Sequence, residues 1–113
     1  MHFFFDEIKQ LIKEQKLFLD PDFSLKDLVE KLNSTTKKIS QTINYFSGSN
    51  FYTLINYYRV AHFKKLLLEN KKIEMNIDEL IKDCGFKSKS TFYSHFKKDE
   101  GCTLSEYMEN ITR

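Results

Sequence analysis

Apolar positions recur with a helical period along the whole chain, and polar breaks divide them into short blocks. Phe4, Phe5, Ile8, Leu11, Ile12 and Phe18 predict a first helix over 4–19. Asp20-Pro21-Asp22 ends it, because proline has no amide proton to continue the hydrogen-bond ladder. Ser24-Leu25-Lys26-Asp27 has the form of a capping box with Asp in place of the usual Glu. It opens a helix over 24–32, with Leu25, Leu28, Val29 and Leu32 on one face. Asn33, which tolerates the left-handed turn after a helix, breaks it. Ile39, Ile43 and Phe46 form the inward face of a helix over 35–46, and Gly48 interrupts. Asn50 caps a long helix over 51–69 that carries Phe51, Leu54, Ile55, Tyr58, Phe63 and Leu66. A polar connection leads to Asn76, which reads with Glu79 as the cap of a helix over 77–84. After Gly85, Ser88 caps a helix to residue 99 with Phe92 and Phe96 inward. Gly101 breaks the chain again, and the capping box Thr103-Leu104-Ser105-Glu106 opens a last helix through Tyr107, Met108 and Ile111.

These blocks repeat. Leu28, Val29, Leu32 and Asn33 match Leu80, Ile81, Cys84 and Gly85 at an offset of 52. From the next helix the offset is 53: Ile39 matches Phe92, Ile43 matches Phe96, Gly48 matches Gly101, Asn50 matches Thr103, Phe51 matches Leu104 and Leu54 matches Tyr107. Each unit is a short helix, a tight turn holding Asn or Gly, a second helix, a glycine break and a capped third helix. That is the order of a helix-turn-helix with its supporting helix, in which the second helix enters the major groove. The expected fold is all-α, with about seven helices in a single domain over 1–113. A homeodomain-like unit over about 4–50 is joined by a linker helix over about 51–69 to a second unit over about 76–111.

Composition narrows this picture. Only three Gly and one Pro in 113 residues disfavour a sandwich of many turns, while eleven Phe and six Tyr supply a core. No apolar run approaches the roughly 18 residues of a spanning helix. The N-terminal Met1-His2-Phe3-Phe4-Phe5-Asp6 lacks the basic region and cleavage site of a secretory signal. Cys84 and Cys102 form neither a disulfide framework nor a metal-ligand spacing, so a reduced, intracellular setting is expected.

Charge adds more by position than by sum. Of the net +2, residues 35–65 carry +5 and residues 87–98 carry +4, both windows free of acids, while the segments around them are negative. The second helix of each repeat lies in one of these windows, with only Asp99 at the end of the second falling outside. Segregated positive charge is the footprint of a polyanion binder.

The run Gly85-Phe86-Lys87-Ser88-Lys89-Ser90-Thr91-Phe92-Tyr93-Ser94-His95-Phe96-Lys97-Lys98 resembles the second helix-turn-helix signature of the AraC/XylS family of transcription regulators. Gly101-Cys102-Thr103-Leu104-Ser105-Glu106-Tyr107 is similar to that family's closing motif. Ile39-Ser40-Gln41-Thr42-Ile43-Asn44 and the stretch from Asn50 to Val60 resemble the matching parts of the first half. The resemblance covers roughly residues 16–109. Val29 and Ile81 stand where the family has a small Ala, which predicts wider or tilted helix crossings in both units. Asn33 replaces a usual Gly, Leu104 a usual Pro, and Met108 a common Arg.

The resemblance implies sequence-specific double-stranded DNA binding and transcription regulation. It places base reading on Lys37, Ser40 and Gln41 in the first unit and on Lys89, Ser90 and Ser94 in the second. Lys can donate to guanine and Gln can pair bidentately with adenine, whereas Ser is a weaker reader. Thr36, Lys38, Asn44, Thr91, Lys97 and Lys98 are assigned to phosphates or groove edges, with Lys64 and Lys65 as further phosphate candidates. Backbone N–H groups at the helix starts near Ser24, Asn76 and Ser88 are expected to assist. Arg59, amid apolar residues, is assigned to bridging the units through an acid or carbonyls rather than to DNA.

In that family the DNA-binding domain normally follows a sensing or dimerisation domain, so an N-terminal partner domain is implied, and RNA polymerase is a partner if the protein is an activator. The expected location is cytoplasmic, with no membrane contact by this segment. The stretch from Leu17 to Leu25 resembles a branch in which the domain ends longer, sometimes membrane-anchored sensors. His2, His62 and His95 are scattered, and His95 reads as a surface residue. With no phosphate loop, nucleophile elbow or ligand cluster, no catalytic residue, metal or cofactor is assigned. The alternative is a helical protein-interaction module whose basic faces bind an acidic partner.

Overall fold

A computed structural model describes residues 3–69 and 76–111. The N-terminal dipeptide Met1-His2 and the polar connection before Asn76 lie outside the described residues. Among those described there are seven α-helices: α1 (Phe3–Glu14), α2 (Leu25–Leu32), α3 (Thr36–Ser47), α4 (Phe51–Glu69), α5 (Ile77–Asp83), α6 (Lys89–Glu100) and α7 (Leu104–Ile111). A short 3₁₀ turn, Leu17–Leu19, follows α1. The fold is all-α.

Local chemistry sets most boundaries. The Ser24 hydroxyl accepts from the Asp27 amide while the Asp27 carboxylate accepts from the Ser24 amide at 2.9 Å, a complete capping box. Thr103 and Glu106 make the same reciprocal pair at the start of α7. Thr35, Asn50, Asn76 and Ser88 each accept from the backbone amide three residues on. At the other ends, Asn33 closes α2 at φ 49.

The predicted first helix is corrected at its C-terminal end. It stops at Glu14, Lys16 adopts a left-handed conformation at φ 50, and the chain re-enters as the 3₁₀ turn. In a continuous helix at about 100° per residue, Phe18 would point roughly a third of a turn away from the stripe of Phe5, Ile8 and Ile12. The reversal at Lys16 brings Phe18 inward, where it stacks on Tyr58 and meets the edge of His62, both on α4.

Two cores result. The first is built from Phe5, Ile8, Ile12, Phe18, Phe23, Leu28, Ile39 and Ile43 together with Phe51, Leu54 and Ile55 of α4. The second holds Leu80, Ile81, Cys84, Phe86, Phe92, Phe96 and Leu104 with Val60, Phe63 and Leu67 of α4. On a helical projection the two α4 triplets lie roughly 160° apart, so α4 gives opposite faces to the two cores. Between the triplets sit the buried polar residues Asn56 and Arg59. Ile81 is buried in the second core, while Val29 is only half-buried at the rim of the first. Met108 packs against the second core.

The turn between α5 and α6 also touches the first half. Gly85 has φ +97, and a Cβ there would lie 2.3 Å from the Phe18 carbonyl oxygen and 2.9 Å from Arg59 Nε. Only glycine permits this approach. Asn33, the matching residue of the first turn, is exposed and keeps its side chain.

Candidate nucleic-acid interface

Helix α3 buries Ile39 and Ile43 and presents the opposite side outward. Lys37, Gln41 and Asn44 share that outward arc, with Thr36 and Lys38 at its flanks, all exposed. Ser40 lies at the edge of the arc and is half-buried. A shallow groove along the helix is lined by Lys38, Gln41, Thr42, Asn44, Tyr45 and Phe46. Tyr45 was not singled out from sequence, yet it is 80% exposed and braced edge-on against Phe46. Its signal was an aromatic residue off the apolar stripe. Lys38 Nζ lies 4.7 Å above the Phe4 ring, which holds the ammonium against α1.

Helix α6 repeats the arrangement. Phe92 and Phe96 are buried, and Ser90, Thr91, Tyr93, Ser94, Lys97 and Lys98 are exposed. Lys89 is exposed too, but it lies toward α5 and pairs with Asp78 at 3.3 Å. Lys87 pairs with Asp22 of the first half at 2.7 Å. All four side chains in these pairs are largely exposed, so each pair is worth about 0–1 kcal/mol and yields readily to a stronger anion. Thr91 has its hydroxyl on the Ser88 hydroxyl at 2.9 Å.

Two expectations are corrected, those for Lys64 and His95. Lys64 is not a free phosphate contact, because it is part-buried and bonded to Glu100 at 2.8 Å, a partner that raises its pKa against the opposing effect of burial. At α2, α5 and α6, one N–H of the helix start is already taken by the side chain of Ser24, Asn76 or Ser88. His95 is not a surface residue: it is half-buried between α6 and α4, with Nε2 3.2 Å from Asn56 Nδ2. Burial holds its pKa below the usual 6.5, with Asp99 opposing that shift and Lys98 adding to it. Arg59 does bridge the halves through carbonyls. Its Nε donates to Phe18 O at 2.7 Å, Nη2 to Asp20 O at 3.0 Å and Nη1 to Asn56 Oδ1 at 3.1 Å.

Cys84 is buried and its thiol is pushed up to about 12, chiefly by desolvation, so it packs as a small hydrophobe. Among the described residues no group of three His, Cys, Asp or Glu side chains is placed to hold a metal ion. No described helix is long and apolar enough to cross a membrane.

The two exposed faces thus sit on the second helix of each of two repeated units, around one connecting helix. Residues 28–110 match the sequence model of a family described as a helix-turn-helix domain, of the AraC type. The chain belongs to that family. AraC-type domains bind DNA and regulate transcription, and this chain is such a DNA-binding module. No curated protein matches it. Among solved structures it is similar to a protein of unknown function from Listeria innocua, at 27% identity and TM-score 0.76, covering 93% of this chain and 94% of that one. It is also similar to the C-terminal domain of AraT, a response regulator from Geobacillus stearothermophilus, at 28% identity and TM-score 0.75, covering 93% and 83%. The C-terminal domain of the two-component response regulator yesN from Fusobacterium nucleatum matches at 27% identity and TM-score 0.72, covering 91% and 95%. The AraC-type membership agrees with the reading from the paired basic windows.

Proposed function

We propose that the chain binds double-stranded DNA sequence-specifically by placing α3 and α6 in successive major-groove segments. The observation that carries this reading is the pairing of two outward faces, each on the second helix of its unit and each in an acid-free basic window. The chain extends 45 Å along its longest axis, enough to span the roughly 34 Å between major-groove segments one turn apart. One polypeptide supplies both helices, so the site is an asymmetric pair of boxes on one face of the duplex, not a palindrome. Residues 1–113 act as one binding domain of two units.

Lys37, Ser40 and Gln41 read bases in the first box, and Lys89, Ser90 and Ser94 in the second. Thr36, Lys38, Asn44, Thr91, Lys97 and Lys98 hold phosphates or groove edges. Tyr45 and Tyr93 lie on the same faces and add contact area to sugar or base methyl groups. Gln41 and Lys37 make the first unit the stronger reader, because serine offers weaker discrimination. The chain serves as the output end of a larger cytoplasmic regulator with an N-terminal sensing or dimerisation domain, and it meets RNA polymerase where that regulator activates.

Random-sequence selection with the purified chain at stated salt tests the proposal. The expected product is a bipartite asymmetric motif. Gln41→Ala is expected to relax preference in one box and Lys89→Ala in the other, each by about 1–3 kcal/mol of discrimination, with nonspecific binding largely kept. Equal affinity for every duplex, insensitive to salt, would overturn it and leave docking to an acidic protein as the use of these faces.

A further inference from the structure

Between the two cores of α4 lies a chain of buried polar contacts that runs from one unit to the other. Arg59 is 8% exposed and Asn56 is 6% exposed, and they are the two polar residues buried among the described ones. Arg59 ties α4 to the 3₁₀ turn of the first unit through the carbonyls of Phe18 and Asp20. Asn56 then joins Arg59 to His95 in the middle of α6.

The donors and acceptors of this chain have one consistent assignment. A guanidinium has five N–H donors and no acceptor, so the Asn56 atom 3.1 Å from Arg59 Nη1 is its carbonyl oxygen. The amide nitrogen of Asn56 therefore faces His95 Nε2 at 3.2 Å, and an amide nitrogen only donates. His95 Nε2 must carry a lone pair, which makes the ring neutral with its proton on Nδ1. A second proton on Nε2 would point at the amide N–H₂. Turning the amide around does not help, because its N–H₂ would then face the Arg59 cation.

We propose that Asn56 and His95 are positioning residues for two-box DNA recognition: neutral His95, accepting from Asn56, fixes α6 on α4 in register with the first unit, and protonation of His95 releases that register. The proposal rests on the two-helix reading of function above. The consequence falls on α6, because Ser94 adjoins His95 and Ser90, Tyr93 and Lys97 share its outward face. A shift of α6 on α4 moves the second reader relative to the first and repacks Phe92 and Phe96 against Phe63, while the first core is untouched.

Burial favours the neutral ring, and Asp99 opposes it. His95 Nδ1 and Asp99 Oδ2, one helical turn on, are both buried without a hydrogen-bond partner. The charges nearby are Asp99 and Lys98 on α6, Arg59 on α4 beyond Asn56, and the Lys64–Glu100 pair joining α4 to α6. From α5, Asp78 is paired with Lys89 at the start of α6, and from α7, Tyr107 packs on Phe96. Burial depresses the native pKa of His95 against the stabilising pull of Asp99. For a histidine shifted in this direction, the contribution is complete above the usual 6.5 and is lost as pH falls from there through the native value.

Two measurements on the intact chain test this. Long-range nitrogen–proton NMR correlations of the His95 ring report its tautomer without any DNA. Neutral His95 with the proton on Nδ1 at pH 7.5, and a side-chain amide signal of Asn56 that moves with the His95 titration, are expected. A proton on Nε2 overturns the proposal whatever the DNA result. The second measurement is affinity for a selected two-box duplex against the same boxes moved apart by one base pair, across pH 5 to 8. The wild type is expected to lose about fivefold or more of its spacing preference on acidification, with single-box affinity little changed. His95→Gln, which offers a non-titrating carbonyl to Asn56, is expected to hold the preference at every pH, and Asn56→Ala to lack it at every pH. His62→Gln, removing the other described histidine, is expected to leave the profile unchanged. A wild-type profile identical to that of His95→Gln, or an unaltered preference in Asn56→Ala, overturns the proposal. Absence of any selected duplex counts against the two-helix reading instead, and the NMR result then decides the relay alone.

Discussion

Arg59 Nε donates to the carbonyl oxygen of Phe18 across 41 residues of sequence, at 2.7 Å and out of solvent. The bond couples the middle of the connecting helix to the left-handed reversal that ends α1. It also places the guanidinium 6.0 Å from the Phe86 ring, in the turn of the second unit. One side chain therefore touches both halves of the molecule and the helix between them.

Replacing Arg59 by Met keeps most of the apolar bulk but removes the donor on Phe18 O, while Asp20 O keeps the Phe23 amide at 3.1 Å. A bond to a charged donor contributes about 1.5–3 kcal/mol, and the one orphaned buried carbonyl, that of Phe18, adds its desolvation cost. Arg59→Met is expected to destabilise the fold by about 2–4 kcal/mol in urea unfolding. Arg59→Lys is expected to recover less than half of that, because an ammonium cannot form the three-way fork. A loss below about 0.5 kcal/mol in either variant would show the bridge to be idle.

Gly85 is the second point of contact between the halves, and here the cost is steric. Gly48 and Gly101 also have positive φ, but a Cβ at either would meet nothing within 4 Å. Gly48→Ala and Gly101→Ala are expected to cost only the left-handed backbone, about 1 kcal/mol each. Gly85→Ala adds a clash with the Phe18 carbonyl, which is fixed backbone. It is expected to cost at least about 2 kcal/mol more than either of the others in the same thermal or urea series. Equal costs at the three positions would mean that the second turn does not seat on the first unit as described.

The contrast among these glycines shows how much of the molecule can be read from sequence. The caps at Ser24, Asn76, Ser88 and Thr103 were legible because each is a contact within four residues and needs no knowledge of the fold. The outward faces of α3 and α6 were legible for a similar reason: once Ile39, Ile43, Phe92 and Phe96 are assigned inward, helical period fixes the rest. Contacts between distant segments were not. Nothing local marks Lys16 as left-handed, since the reversal answers to Phe18 finding Tyr58. The burial of His95, the pairing of Lys64 with Glu100 and the seating of Gly85 against Phe18 all depend on how α4 divides its faces between two cores. Arg59 is the exception. A cation inside an apolar stretch needs a partner wherever it lies, so a bridging role was readable even though the partners were not.

Electrostatics separate the candidate phosphate contacts from the readers. If about five phosphates are neutralised, log Kobs against log salt falls with a slope of about −4.5, several hundredfold to a thousandfold between 50 and 200 mM. Lys97→Ala and Lys98→Ala are each expected to weaken binding to all duplexes alike and to reduce the slope by about one. Gln41→Ala is expected to leave the slope unchanged while altering sequence preference. Titrations by fluorescence anisotropy at four salt concentrations distinguish the two behaviours. A slope unaffected by both lysine variants would place the duplex elsewhere on the surface.

Asp78 competes with DNA for Lys89. The pair is 3.3 Å apart with both side chains about 60% exposed, so its contribution to stability is small. Asp78 also lies in the first turn of α5, where a carboxylate favours the exposed amides. Asp78→Asn is therefore expected to cost no more than about 1 kcal/mol of stability. Its effect on binding has the opposite sign. The substitution frees the Lys89 ammonium for the duplex, so affinity for a two-box duplex is expected to rise about two- to fivefold at low salt. The gain is expected to shrink as salt screens the attraction of the freed ammonium to the duplex. It is also expected to vanish in a Lys89→Ala background, because the two residues act on one contact and their effects do not add. A gain that persists without Lys89 would mean that Asp78 repels the duplex directly, and an unchanged affinity would place Lys89 away from the DNA.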